Sequence, residues 1–198
     1  MPKNSPFPKE SKVAAVKTVF HTLPPVFDSC SRVLILGSLP SPKSRELGFY
    51  YGHPRNRFWT VLGRLLREEI PPSPEGKRAL LLSRHIALWD VVQRCEIRGA
   101  ADESIRRPLP NDLSLILGQA DIRAIFTTGQ KAAALYRRLC QPQTGIAALS
   151  LPSTSPANCT CSIEALYESY RQILPFLEEG DQPSPPFAKK NSENTPEE

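Results

Sequence analysis

Two short stretches concentrate the residues that could do chemistry. In Gly48-Phe-Tyr-Tyr-Gly-His-Pro-Arg-Asn-Arg-Phe-Trp59, three consecutive aromatics sit between glycines, and Arg55 and Arg57 flank Asn56. Aromatics beside arginines and a helix start can stack a base and hold phosphate through guanidinium and helix N–H groups. The same residues also suit aromatic packing and an Asn that caps a helix. In Leu151-Pro-Ser-Thr-Ser-Pro-Ala-Asn158, three hydroxyls and an Asn accompany two prolines. They suit either a capped turn or a stiff ridge that bonds backbone phosphates. A third stretch is a decoy. Gly37-Ser-Leu-Pro-Ser-Pro-Lys43-Ser44 matches a phosphate loop at every fixed position except Pro42, where a second Gly is needed. Such a loop points successive backbone N–H groups at phosphate, and Pro40 and Pro42 each remove one, so triphosphate hydrolysis is set aside. The dinucleotide fingerprint G-x-G-x-x-G is also absent.

The elements that must position these residues alternate along the chain. Residues 32–37 form a short apolar run ended by Gly, which predicts a buried strand. A proline- and glycine-rich loop over 38–55 follows. Phe58, Trp59, Leu62, Leu65 and Leu66 then recur at helical spacing, predicting a helix of about 12 residues. Pro71, Pro72 and Pro74 stop it. Residues 86–92, 122–127 and 146–151 read as three further strands, with Asp90 near the end of the first of these. Helices are expected over 111–119, from Gly129 to about Leu139, and along the stripe Ile163, Leu166, Tyr167, Tyr170, Ile173 and Leu174. Strands alternating with helices mean parallel pairing and right-handed crossovers. The expected fold class is α/β, a three-layer α/β/α sandwich with a central, mainly parallel four-stranded sheet. Ligands in such folds bind outside the carboxyl ends of the strands, which selects loops 37–56, 90–112, 127–131 and 151–160.

Composition bounds the remaining classes. The chain has 198 residues, enough for one domain with a sizeable core. Residues 13–180 read as that domain, 1–12 as a disordered basic arm and 181–198 as a disordered tail. Its 21 prolines exclude a coiled coil, a helical repeat array and a collagen-like chain, and count against long uninterrupted helices and a broad antiparallel sheet. The formal charge is +5, and 16 of the 25 cations are arginine, whose planar fork suits a polyanion. Five cysteines, with no Cys-x-x-Cys and only three histidines, complete no zinc pattern; neither a metal nor a cofactor is expected. The N-terminus lacks a signal-peptide pattern and no run reaches the 18–20 apolar residues of a membrane span, so the expected location is cytoplasmic (bacterial nucleoid) or nuclear, not secreted.

The stretches Leu36-Gly-Ser-Leu-Pro-Ser41 with Gly52-His-Pro-Arg-Asn-Arg-Phe-Trp59, and Leu151-Pro-Ser-Thr-Ser-Pro-Ala-Asn158, together resemble the two active-site motifs of the uracil-DNA glycosylase superfamily. The branch they resemble most is that of the hypoxanthine-DNA (deoxyinosine) glycosylases. Leu88-Trp-Asp-Val-Val92, Ile105-Arg-Arg-Pro-Leu-Pro-Asn-Asp112 and Phe126-Thr-Thr-Gly-Gln-Lys-Ala132 are similar to that branch as well. The resemblance spans roughly residues 20–175. It implies a monofunctional DNA glycosylase, acting as a monomer. Such an enzyme hydrolyses the N-glycosidic bond of a deaminated base flipped out of DNA, and it leaves an abasic site. Hypoxanthine is the first expectation. Uracil or mismatched thymine is the second, and a DNA-damage binder without catalysis the third. The resemblance assigns Asn56 to the attacking water, with Ser38 nearby. It assigns Gly37, Phe49, Tyr50, Tyr51 and His53 to the base, with Tyr51 as the stacking ring. It assigns Ser41, Arg55, Arg57, Lys131, Ser153, Thr154, Ser155 and Asn158 to the DNA backbone. One departure stands out: superfamily members often hold the water with Asp or Asn two residues after the Gly that ends the first strand, and here that residue is Leu39. An amide is a poor base but orients water through its carbonyl oxygen, so Asn56 is expected to act without a carboxylate as general base.

Overall fold

A computed structural model describes residues 15–99 and 102–178. The expected arm and tail, residues 1–12 and 181–198, lie outside the described residues. Four strands form the central sheet: β2 (Val33–Gly37), β3 (Ile86–Asp90), β6 (Ala124–Thr128) and β7 (Leu149–Leu151), in the order β3-β2-β6-β7 with every pair parallel. All five residues of β2 and of β3 are buried, which is why both read as unbroken apolar runs rather than alternating ones. The strands at 122–127 and 146–151 begin two or three residues later than their apolar runs suggest, because Ile122 and Ile146 are buried in the approaching loops.

Helices complete the sandwich: α1 (Pro42–Leu47), α2 (Phe58–Leu66), α3 (Pro74–Ser83), α4 (Ser114–Leu117), α5 (Gln130–Leu139), α6 (Gln141–Thr144) and α7 (Ile163–Tyr170), the last continued by a 3₁₀ turn over Arg171–Phe176. The right-handed rule for parallel crossovers sets the helices before β3 on the opposite face from those before β6 and β7. In the structure α3 packs on β3, α5 packs on β6 and β7, and α7 packs on α2. Three proline-rich stretches turn out to open helices. Pro42 begins α1 behind the cap Ser41, Pro74 begins α3 behind the cap Ser73, and Pro142 lies in the first turn of α6. A first-turn proline loses nothing, because its missing N–H would have had no helical partner. The expected loop 38–55 therefore contains a helix, and Pro74 starts a helix as well as following one. The helix expected over 111–119 shortens to a single turn.

A second sheet lacks any clear signature in the sequence. Strands β1 (Val16–Phe20), β4 (Val92–Arg98) and β5 (Arg106–Pro110) form a three-stranded antiparallel sheet in the order β1-β4-β5. It fills most of the expected loop 90–112. Its inner face is narrow, with Val92, Cys95 and Ile97 buried, and β5 carries two prolines, which an edge strand tolerates. Among the described residues no helix is long and apolar enough to cross a membrane.

Candidate active site

The order β3-β2-β6-β7 reverses direction between β2 and β6, and the crevice beyond that point is where such sheets bind ligands. A cavity of about 790 Å³ opens there. All four loops selected from the sequence contribute to its wall, among others through Gly37 and Asn56, Asp90 and Asp102, Thr128 and Lys131, and Pro152 and Asn158.

Its floor is set at the ends of β2 and β3. Asp90 is 5% exposed, and its Oδ2 lies 2.9 Å from Nε2 of His21. Its Oδ1 lies over Gly37: a Cβ there would sit 2.2 Å from that oxygen and 3.4 Å from the Tyr51 hydroxyl. Burial holds the Asp90 carboxyl above the usual carboxylate range, and the His21 hydrogen bond opposes that shift only in part. Ser38, also buried, donates to Asp102 Oδ2. Burial raises the Asp102 carboxyl too, against the Ser38 hydrogen bond, while the neighbouring Glu103 adds to the rise. Asp102 lies in none of the motifs; Asp90 lies in Leu88-Trp-Asp-Val-Val92 and at the carboxyl end of a buried strand, yet the sequence reading assigns neither acid a role.

The aromatic triplet divides three ways. Tyr51, in a left-handed backbone conformation at φ 52°, borders the cavity. Its ring stacks on Phe58 with centroids 3.8 Å apart and an interplanar angle of 10°, and its hydroxyl lies 3.0 Å from Thr128 Oγ1. One ring face is thus fixed from behind. Tyr50 also borders the cavity, but its hydroxyl donates to the Pro24 carbonyl at 2.9 Å and only 3% of the residue is exposed. Phe49 lies outside the cavity wall, stacked on Trp59. His53 is outside too; its Nδ1 accepts the Arg55 N–H at 3.1 Å and ties the turn.

Asn56 reaches the cavity while its Oδ1 accepts the Phe58 N–H at 2.9 Å. The capping and site readings of this residue are therefore compatible. Arg55 is exposed and outside the wall. Arg57 faces away from the cavity: its guanidinium donates to the carbonyls of Ser155, Asn158 (2.7 Å) and Cys161. It clamps the second motif to the first, and its own N–H donates to the Thr154 carbonyl at 3.1 Å. No spacing in the sequence separates such a clamp from a phosphate ligand.

Ser41 caps α1 by accepting the Ser44 N–H and also lines the cavity. Ser153, Thr154, Ser155 and Asn158 all line it as well. Ser153 Oγ accepts the Ser155 N–H, Ser155 Oγ accepts the Ala157 N–H, and Asn158 Nδ2 donates to the Ser153 carbonyl at 2.8 Å. A serine that accepts a backbone N–H keeps its own O–H to donate outward, so turn building leaves these hydroxyls free to donate into the cavity. Gly129, at φ 91°, lets this ridge approach α5; a Cβ there would meet the Ser153 side chain at 3.0 Å. Lys131, in the first turn of α5, lines the cavity and its charge acts on Asp102.

The geometry defines a class: a parallel α/β sandwich whose switch-point cavity joins a backed aromatic ring, an amide bonded to a helix start and a ridge of hydroxyls. Comparisons with known proteins narrow this class. The family model of the uracil DNA glycosylase superfamily matches residues 24–175, and the chain belongs to that superfamily. A hypoxanthine DNA glycosylase of Methanosarcina acetivorans is 36% identical over 137 residues, 68% of this chain and 85% of that protein. A hypoxanthine DNA glycosylase of Methanosarcina barkeri is 35% identical over 111 residues, 55% of this chain and 70% of that protein. A solution NMR structure of a candidate uracil DNA glycosylase from Methanosarcina acetivorans superposes with a TM-score of 0.67 at 31% identity, over 80% of this chain and 99% of that one. The chain is a DNA glycosylase, a hydrolase of N-glycosyl bonds in DNA.

Proposed function

We propose that the base removed is hypoxanthine, the product of adenine deamination, and that an abasic site is left. Support comes from the names of the two Methanosarcina relatives. The observation that carries the site assignment is the convergence of Asn56, Tyr51 and the 153–158 ridge on one cavity. The damaged nucleotide leaves the stack at a cost of a few kcal/mol, and its base lies against the free side of Tyr51. Asn56 Oδ1, with one lone pair on the Phe58 N–H, uses the other to orient water toward C1′. As the C1′–N9 bond breaks, its electron pair goes to the base and the sugar takes oxocarbenium character. The water oxygen bonds to C1′ and releases one proton to solvent, while the departing base takes one from Asp90, which solvent then reprotonates. Asp90 lines the cavity and burial shifts its carboxyl toward the protonated form, so it is the group we assign to donate to the departing base. Ser41, Ser153, Ser155 and Lys131 hold the flanking phosphates.

The test uses labelled duplexes carrying hypoxanthine, uracil or a G·T mismatch, followed by alkali. Strand breaks at hypoxanthine alone, or far above the others, are expected. Breaks mainly at uracil overturn the base assignment and leave the glycosylase class intact.

A further inference from the structure

The outer face of the β1-β4-β5 sheet is not absorbed by the cavity chemistry, and its composition is unusual. Val16, Phe20 and Leu109 are 53%, 58% and 50% exposed, three of the six large hydrophobics exposed among the described residues. The register sets them in rows with arginine. Phe20 is opposite Arg94, which is opposite Leu109, and Val16 is opposite Arg98. Directly opposed residues share a face, so an aromatic, two aliphatics and two cations are presented together. The Arg94 guanidinium lies 5.5 Å from the Phe20 ring centroid. Among the described residues no carboxylate pairs with Arg94 or Arg98, and the one acid in the middle row, Glu96, is held by Arg107 at 2.9 Å.

The face therefore offers apolar ring area and unpaired guanidinium charge side by side. A duplex surface would use the charge and waste the ring, because its base faces are hidden. An unpaired strand uses both: every base has a face to stack, and each phosphate takes an arginine. The face also ends beside the cavity, since Arg98 at the end of β4 precedes Gly99, and Gly99 lines the cavity wall. We propose that the outer face of this sheet is a second DNA-binding surface, a platform for an unpaired stretch of DNA on which Phe20 stacks a base while Arg94 and Arg98 hold phosphates. The proposal rests on DNA being the substrate, though not on which base is removed.

The probe is a fluorescein-labelled oligothymidine of about 20 nucleotides with no damaged base, long enough to cover one binding face. Anisotropy titrations at several salt concentrations compare the parent with Phe20→Ala, Phe20→Trp and Arg94→Ala/Arg98→Ala. Phe20→Ala should weaken binding by roughly 5- to 100-fold, the loss of one base stack, and Phe20→Trp should restore it. The double arginine variant should flatten the salt slope by about 0.7 for each phosphate no longer neutralised. Thermal melts confirm that the variants fold, as expected for exposed positions. Parent-like affinity and slope in Phe20→Ala and the double variant overturn the platform, whatever protein the face then serves, and so does a parent that fails to bind the oligonucleotide. Excision by the parent on a hypoxanthine duplex is read in parallel; its failure would overturn the base assignment and not the platform.

Discussion

Replacing Gly37 with Ala adds one methyl group at the most crowded point of the cavity floor. The new Cβ would lie 2.2 Å from Asp90 Oδ1, so the oxygen must retreat by about 0.8 Å to reach even the 3.0 Å floor seen for real Cβ contacts. It cannot do so freely. Asp90 ends β3, its other oxygen is bonded to His21, and its carbonyl accepts from Asn111 Nδ2 at 2.9 Å. Gly37 is equally fixed, paired with Asp90 in the sheet and accepting the Val91 N–H. Overpacking of this kind costs roughly 1–3 kcal/mol. In a domain of this size that lowers Tm by about 2–10 °C. The same displacement moves the carboxyl assigned under the proposed function to the departing base, and a misplacement of about 1 Å costs on the order of 100-fold in rate. Gly37→Ala should therefore fold, melt a few degrees early, and excise hypoxanthine about two orders of magnitude more slowly under single-turnover conditions. Parent-like excision with an unchanged Tm would refute the close approach of Gly37 and Asp90 and the role given to that carboxyl.

Other outcomes follow from the same geometry. Asn56→Ala should slow single-turnover excision by roughly 100- to 1,000-fold, the scale of a missing orienting group, while removing a helix-start hydrogen bond worth about 1 kcal/mol in a denaturant melt. Arg57→Ala should lower stability by about 2 kcal/mol or more, since charge-assisted bonds to three carbonyls disappear, and should expose the 153–161 segment to protease. Asp102→Asn probes burial. The folded pKa of Asp102 lies above the ordinary 3.8, so the native state holds its proton more tightly than the unfolded chain. The parent therefore loses stability as pH rises from that ordinary value through the folded pKa. The Asn variant should gain relative to the parent over this window, measured by urea melts between about pH 4 and pH 7. For Asp90 the same direction holds, and excision should decline as pH rises through its folded pKa, with Asp90→Asn slower and flatter.

The parallel sheet was legible because β2 and β3 are buried on both faces, so their apolar runs are unbroken. The antiparallel sheet was not, because β5 is written Arg-Arg-Pro-Leu-Pro and β4 hides only three of its seven residues. Proline reads as a breaker in one dimension. In space it also opens helices, as at Pro42 and Pro74, and sits on sheet edges, as at Pro108 and Pro110. The two motifs were visible as unusual runs of aromatic, basic and hydroxyl residues. Type and spacing left packing and turn readings open beside the chemical ones, because a ring stacks or packs and a hydroxyl donates or caps according to its surroundings; the family resemblance supplied the assignments.

What the sequence by itself determined is the sandwich, the four loops that rim the cleft and the family motifs, since these depend on local periodicity and on residues adjacent in the chain. Which way each side chain points is a property of packing between segments far apart. Only the tertiary structure turned Arg57 inward to three carbonyls a hundred residues away, set Tyr51 rather than Phe49 against the cavity, and brought His21, Asp90 and Gly37 to one point on its floor. Burial then raised the carboxyls of the two acids. Removal from water raises a carboxyl's pKa, and no one-dimensional pattern records how much water a folded chain excludes.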